Sequence, residues 1–226
     1  MKRIFLFVAA AALSLGASAQ IFSSNSSATF EQAKAPRVNY DRIYWGYAPT
    51  TFGANEKIYY DGNKAVKSET WAGFNMGWTH GWHVNATQLP IFIEGGVVGN
   101  LDFHTWDGTD DLGTYLAFAI PVNVTYRYQI GNSGIYIAPY LGLHLKANAL
   151  WQAGDNDYFD NDNDDVSVKR VQVGMQLGVN FDLSGFYLGV GWDNDFSNIY
   201  KYDAPAGGTD VTIGTSGFRA HIGFVF

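Results

Sequence analysis

Apolar and polar positions alternate with period two along most of the chain after residue 39, the pattern of strands with two unlike faces. Tyr115 to Gln129 shows it best. Leu116, Phe118, Ile120, Val122, Val124, Tyr126 and Tyr128 share one face; Tyr115, Ala117, Ala119, Pro121, Asn123, Thr125, Arg127 and Gln129 share the other. Val171, Val173, Met175, Leu177, Val179 and Phe181 likewise oppose Arg170, Gln172, Gly174, Gln176, Gly178 and Asn180. Similar runs start at Ala72, Ile91, Ile135, Phe186 and Phe218, and a weaker one covers Arg42 to Ala48 with Ile43, Trp45 and Tyr47 on its apolar face. The pattern predicts eight strands and no amphipathic helix of ten or more residues.

The connections sort by length. Phe52–Glu69, Asp102–Gly113, Trp151–Val166 and Asn194–Val211 are long, Gly81–Leu89 is intermediate, and Gly131–Gly134 and Asp182–Gly185 are short. Long loops at one end and tight turns at the other are the asymmetry of a transmembrane barrel. The polar faces are mostly Gly, Ala, Asn, Gln and Thr, which suit the cramped inside of an eight-stranded barrel better than a water-facing surface. Trp78, Tyr126, Tyr128, Phe186, Trp192, Phe224 and Phe226 gather near the ends of the apolar faces, as interfacial girdles do. The expected fold is therefore all-β: an eight-stranded antiparallel up-and-down transmembrane β-barrel. A soluble barrel or sandwich with the apolar faces inside is the alternative.

Composition agrees. Aromatic residues make up 16% of the 226 residues and charged residues only 15%, against roughly 25% charged in an average soluble domain. A formal net charge of -7 argues against nucleic acid as a partner. Cysteine is absent, which excludes disulfides, thiolate catalysis and Cys-based zinc sites. Lys2 and Arg3, the apolar run Ile4–Leu15 and Ala17-Ser18-Ala19 have the layout of a secretory signal peptide. The expected organisation is a leader over 1–19, a periplasmic arm over 20–39 and the barrel over 40–226.

With these features the chain resembles the small bacterial outer-membrane β-barrel domain family, the OmpA-type and OmpX-type eight-stranded barrels. Its last strand, Gly217 to Phe226, ends on an aromatic residue with apolar residues at alternate positions. That resembles the sorting signal read by the outer-membrane assembly machinery, with Phe224 and Phe226 as its key residues. The resemblance implies the bacterial outer membrane, both chain ends in the periplasm, and outer-membrane lipid, lipopolysaccharide and the assembly machinery as partners. It is specific for architecture and weak for activity, because such barrels host many roles. A cell-wall tether of the full-length OmpA kind is not expected.

Candidate chemistry is sparse. Glu94, Arg127, Lys146, Arg170 and Arg219 fall on inward faces, with His144 and His221, and charge inside a narrow barrel needs a partner. A Glu94–Arg219 or Glu94–Arg127 pair is expected, supported by Tyr136, Tyr140 and Gln176, with His144 and Arg170 in the same polar network. Asp160, Asp162 and Asp164 have the spacing that opens an EF-hand loop, but Asp165 stands where glycine is needed and Val171 where glutamate is needed. Weak divalent binding is the most that loop suggests. Asp102, His104, Asp110, Asp111, Asp193 and Asp195 are placed at the rim, and His80 with His83 is too small a set for zinc. No catalytic residue, metal site or cofactor is assigned. The expected role is structural or interactive, through acidic and aromatic external loops that meet an unidentified extracellular ligand. A narrow gated pore and a surface lipid-modifying or proteolytic enzyme are the alternatives.

Overall fold

The computed structural model describes residues 38–61, 64–84, 89–106, 111–131, 133–154, 156–160, 165–205 and 208–226. The expected leader, most of the arm, and Asp162 and Asp164 lie outside these. The strands are β1 (Tyr40–Tyr47), β2 (Thr50–Ala54), β3 (Tyr59–Asp61), β4 (Lys64–Val66), β5 (Ser68–His83), β6 (Ile91–Thr105), β7 (Leu112–Tyr126) and β8 (Tyr128–Gln129). Then follow β9 (Ile135–Ala153), β10 (Asn156–Asp157), β11 (Val166–Val168), β12 (Val171–Leu183), β13 (Phe186–Asp195), β14 (Tyr200–Tyr202) and β15 (Val211–Val225). No helix occurs among the described residues.

Eight strands close a ring in the order β1, β5, β6, β7, β9, β12, β13, β15 and back to β1, every pair antiparallel. Each ring strand neighbours the ones before and after it in the chain, the up-and-down arrangement. Closure joins the two ends of the barrel sequence: Ile43 sits opposite Phe224 and Trp45 opposite Ile222. Asp41 and Phe226 exchange both backbone hydrogen bonds, at 2.8 and 3.0 Å. The ring leaves no free edge, so each backbone amide finds a partner in the neighbouring strand.

The faces are sorted as a membrane demands. On β7, Phe118, Ile120, Val122 and Val124 are 47–54% exposed, whereas Ala117, Ala119, Asn123 and Thr125 between them are buried. Leu141, Leu143 and Leu145 on β9 and Val171, Val173 and Leu177 on β12 also face out. Inside lie Arg42, Asn75, Glu94, Asp102, His144, Lys146, Gln172, Asp182, Asp193 and Asp195, all buried. A soluble barrel would have the reverse distribution. Phe118 to Tyr126 spans 9 residues of β7, the length a tilted strand needs to cross the hydrocarbon layer. Phe186 pairs with Phe224 near the tight turns, and Trp192 pairs with Phe218 toward the long loops, so the aromatics bracket the aliphatic belt.

The tight turns have a local cause. Ser184 and Gly185 have φ of 53° and 103°, and Leu183 pairs with Phe186 across them. Two consecutive positive φ values match the natural twist of the flanking strands. At the other end the wall continues beyond the apolar belt. Pro49 interrupts the first strand because it has no amide to donate, and β2 then resumes the same slot between β15 and β5. β14 and β11 extend the sheet from β15, and β10 adds to β9.

The strands run further than composition suggests. Asp102, Asp182 and Asp195 were expected in loops but lie within β6, β12 and β13. Aspartate reads as a turn residue locally; inside this barrel, cations and hydrogen-bond donors from other strands compensate it. The expected loop 52–69 contains β3, β4 and part of β2 and β5.

Candidate functional site

The lumen nearest the tight turns is closed by a charge-balanced network. Arg42, fully buried on β1, forms ion pairs with Glu94 of β6 and Asp182 of β12. Its Nε and Nη2 donate to the two Asp182 carboxylate oxygens, each at 3.1 Å, the fork geometry that only a guanidinium supplies. Arg127 donates from Nε to Asp182 Oδ2 at 2.7 Å. The Tyr40 and Thr125 hydroxyls donate to Glu94. The Arg127 guanidinium lies 4.0 Å over Tyr136 and 4.5 Å over Tyr40. Two arginines, two carboxylates and the Tyr40 and Tyr136 rings thus meet in one layer of the interior.

Midway, Arg219 donates to Asp193 at 2.8 Å and to Gln176 at 3.0 Å. Gln176 in turn donates to Asn123 at 2.6 Å. The Tyr140 ring lies over Gly178 and Gly191 of the next two strands, and a Cβ at Gly178 would stand 2.3 Å from the Val190 carbonyl oxygen and 2.6 Å from the Tyr140 hydroxyl, so glycine there is a requirement of this packing. Above, Asp195 accepts from Lys146 and Thr215 and pairs with His144 Nε2 at 2.8 Å. His144, Asp193 and Asp195 are close enough to share a metal ion. Lys146 and Arg219 already neutralise those two carboxylates, so the charge a divalent ion would meet is compensated.

Beyond the belt an aromatic collar caps this lumen. Phe52, Trp71, Tyr115, Trp151, Ile199 and Ile213 form one buried cluster. Phe52 is its centre: stacked on Trp151 at 5.2 Å and 8°, 4.9 Å from Trp71, and edge-on to Tyr115 at 5.3 Å. Above it opens a cup of about 610 Å³, walled by Phe52, Tyr59, Trp71, Trp106, Trp151, Tyr158, Tyr200 and Tyr202, with Glu69, Asp111 and Asn156 as its polar lining side chains. Glu69 organises one wall, accepting from Trp71 Nε1 at 2.9 Å and Trp106 Nε1 at 3.2 Å and contacting His104 Nε2 at 3.2 Å. The Trp71 and Trp106 rings stand at 84° to each other. Tyr59 Oη and Trp151 Nε1 are buried and have no hydrogen-bond partner among the described residues. Burial, and behind it the Glu69 carboxylate, raises the Tyr59 phenol above its ordinary range, and the same two causes act on Tyr158.

A buried polar interior inside a closed ring with an apolar exterior decides the architecture. The fold is that of the small outer-membrane β-barrels. No family model and no curated protein matches the chain. Among solved structures it is similar to Ail, the attachment invasion locus protein of Yersinia pestis, crystallised with the heparin analogue sucrose octasulfate: 14% identity over 83% of this chain and 99% of that one, TM-score 0.41. Neisserial surface protein A gives 14% identity over 80% and 96%, TM-score 0.41. OprG of Pseudomonas aeruginosa gives 11% over 84% and 97%, TM-score 0.42. The assignment to this barrel class rests on the strand ring and the sorted faces of the chain itself.

Several residues sit elsewhere than the sequence pattern suggested. Glu94 pairs with Arg42 rather than with Arg219 or Arg127, and those two take Asp193 and Asp182. Arg170 is outside the lumen: it is exposed, with its guanidinium 4.5 Å over Phe159. Tyr136, Tyr140, His144 and Gln176 do line the interior, in three different layers. Asp102 is buried, accepting the Thr50 amide at 2.9 Å, and Asp193 and Asp195 are equally enclosed, so none of the three stands at a rim. Asp160 is exposed; its partners in the acidic motif, Asp162 and Asp164, lie outside the described residues. Phe224 and Phe226 face outward beside the closing seam. Arg42 and Asp182 were missed, although phase alone could have found them: Arg42 alternates with Ile43, and Asp182 continues the inward row of Gly178 and Asn180.

Proposed function

We propose that this barrel is a non-enzymatic, non-conducting protein of the bacterial outer membrane, whose role is surface interaction through its aromatic collar. The observation that carries this reading is the contrast between the two ends. Arg42, Glu94, Asp182 and Arg127 are joined by ion pairs inside the tight-turn end, which supports a plugged lumen, while strands at the other end rise past the apolar belt to build an open cup. The carboxylates that a rim hydrolase would use are committed to structure: Asp102, Asp193 and Asp195 are buried, and Glu69 holds the indoles and His104. In planar bilayers the barrel gives no steady single-channel current. Large, sustained currents would overturn the reading in favour of the pore.

The proposed orientation places the tight turns and both ends of the barrel in the periplasm. Because the chain lacks cysteine, single substitutions report topology directly. In intact cells an impermeant maleimide labels Glu56→Cys, at the collar end, and labels Ser133→Cys, in a tight turn, only after the outer membrane is permeabilised. The reverse pattern would invert the barrel.

A further inference from the structure

The cup has the chemistry of a site for one class of small molecule. Its lining holds the carboxylates Glu69 and Asp111 and, among the described residues, no lysine, arginine or histidine. That excludes anions. The walls are mainly aromatic rings, and Glu69 already serves Trp71, Trp106 and His104. A cation is attracted by the negative face of an aromatic ring, most strongly by tryptophan and most strongly when water is excluded. Here Trp106 is half-buried in the cup wall and stands edge-to-face with Trp71, which is itself buried and stacked on His104, so Trp106 is the tryptophan that an ion in the cup reaches. The N–H groups of both indoles donate to a carboxylate, which pushes electron density into both rings. The volume of about 610 Å³ is in the range of small-molecule sites.

Resting on the reading that the collar is an outward-facing interaction site, we propose that the cup binds a free alkylated ammonium compound. The onium group lies against Trp106, in the cup that Glu69 and Asp111 also line. A phospholipid headgroup carries the same ammonium, but its phosphate would be drawn toward the two carboxylates and repelled.

The test is calorimetric titration of the full barrel in a non-ionic detergent. Choline is the probe, 3,3-dimethylbutan-1-ol its neutral isostere, glycerophosphocholine the headgroup, and cellobiose the sugar. Choline binds saturably, and the isostere, of the same shape without the charge, binds at least roughly tenfold more weakly. Glycerophosphocholine is also weaker than choline. Glu69→Gln weakens choline by roughly tenfold and leaves the isostere unchanged, with the heat-dependent gel shift of the folded barrel checking that the variant assembles. Equal binding of choline and isostere would overturn the proposal, as would a preference for cellobiose or glycerophosphocholine, or no choline binding to a barrel shown to be folded. The wild-type comparison needs no variant. A barrel that conducts but still selects choline would sink the sealed-lumen reading alone; a sealed barrel that ignores choline would sink this proposal alone.

Discussion

Arg42→Ala lowers the stability of the barrel by about 3–5 kcal/mol, the cost of removing one partner from a buried ion pair. The reason is the number of groups that converge on that guanidinium. It neutralises Glu94, forms a fork with Asp182 and packs 4.5 Å from the Tyr40 ring. Its loss strands the Glu94 carboxylate in a lumen where Thr125 and Tyr40 still donate to it but no cation is paired with it. Arg127 continues to hold Asp182, so the damage centres on Glu94. The expected readout is a lower midpoint in the heat-dependent gel shift and brief current spikes in planar bilayers, because the bulkiest part of the plug is gone. Arg42→Met with Glu94→Gln regains much of the stability, since an apolar and a neutral group replace the pair without leaving a charge unpaired. An Arg42→Ala barrel as stable as the wild type would show that the network is not what holds the lumen shut.

Phe52→Ala has an effect of similar size in a different place. Phe52 is 1% exposed and lies among Trp71, Tyr115 and Trp151. Truncating a buried phenylalanine typically costs about 3–5 kcal/mol through lost burial and the cavity left behind. The loss is confined to the collar, because Phe52 pairs only with the outer ends of β5 and β15, opposite Glu69 and Thr215. Protease nicking and amide exchange in residues 50–71 and 199–213 therefore accelerate, while the membrane-embedded ring keeps its gel shift. The choline affinity falls with it, since the floor under Trp71 and Trp151 is removed. If the whole barrel melts together at a lower temperature instead, collar and ring are one cooperative unit and the division drawn here is wrong.

The sequence by itself determined the ring. A strict period of two leaves little choice about which side chains share a face, and a one-residue slip would carry every one of them to the wrong side. Apolar residues on one face and Gly, Ala, Asn and Gln on the other then decided that the apolar face meets lipid. The short turns were legible from Gly131, Gly134 and Ser184-Gly185, and the inward placement of Glu94, Arg127 and Arg219 from phase. Pairing among those charges was not legible. Which cation meets which carboxylate depends on the stagger between strands remote in the chain: Arg42 and Asp182 are 140 residues apart, and a shift of two positions keeps every face correct while changing every partner.

The aspartates were misplaced for a related reason. Composition assigns an aspartate to a turn, and only the cations and amides supplied by other strands make it tolerable inside. Nor could the sequence announce the cup. Tyr59, the Glu69 and Trp71 of β5, Trp106 and Trp151 come from four segments with no common spacing, and each alone reads as an interfacial or loop residue. Tertiary structure decided their meeting, because the ring brings the outer ends of its strands together above the belt, where side chains must pack on one another without lipid to cover them.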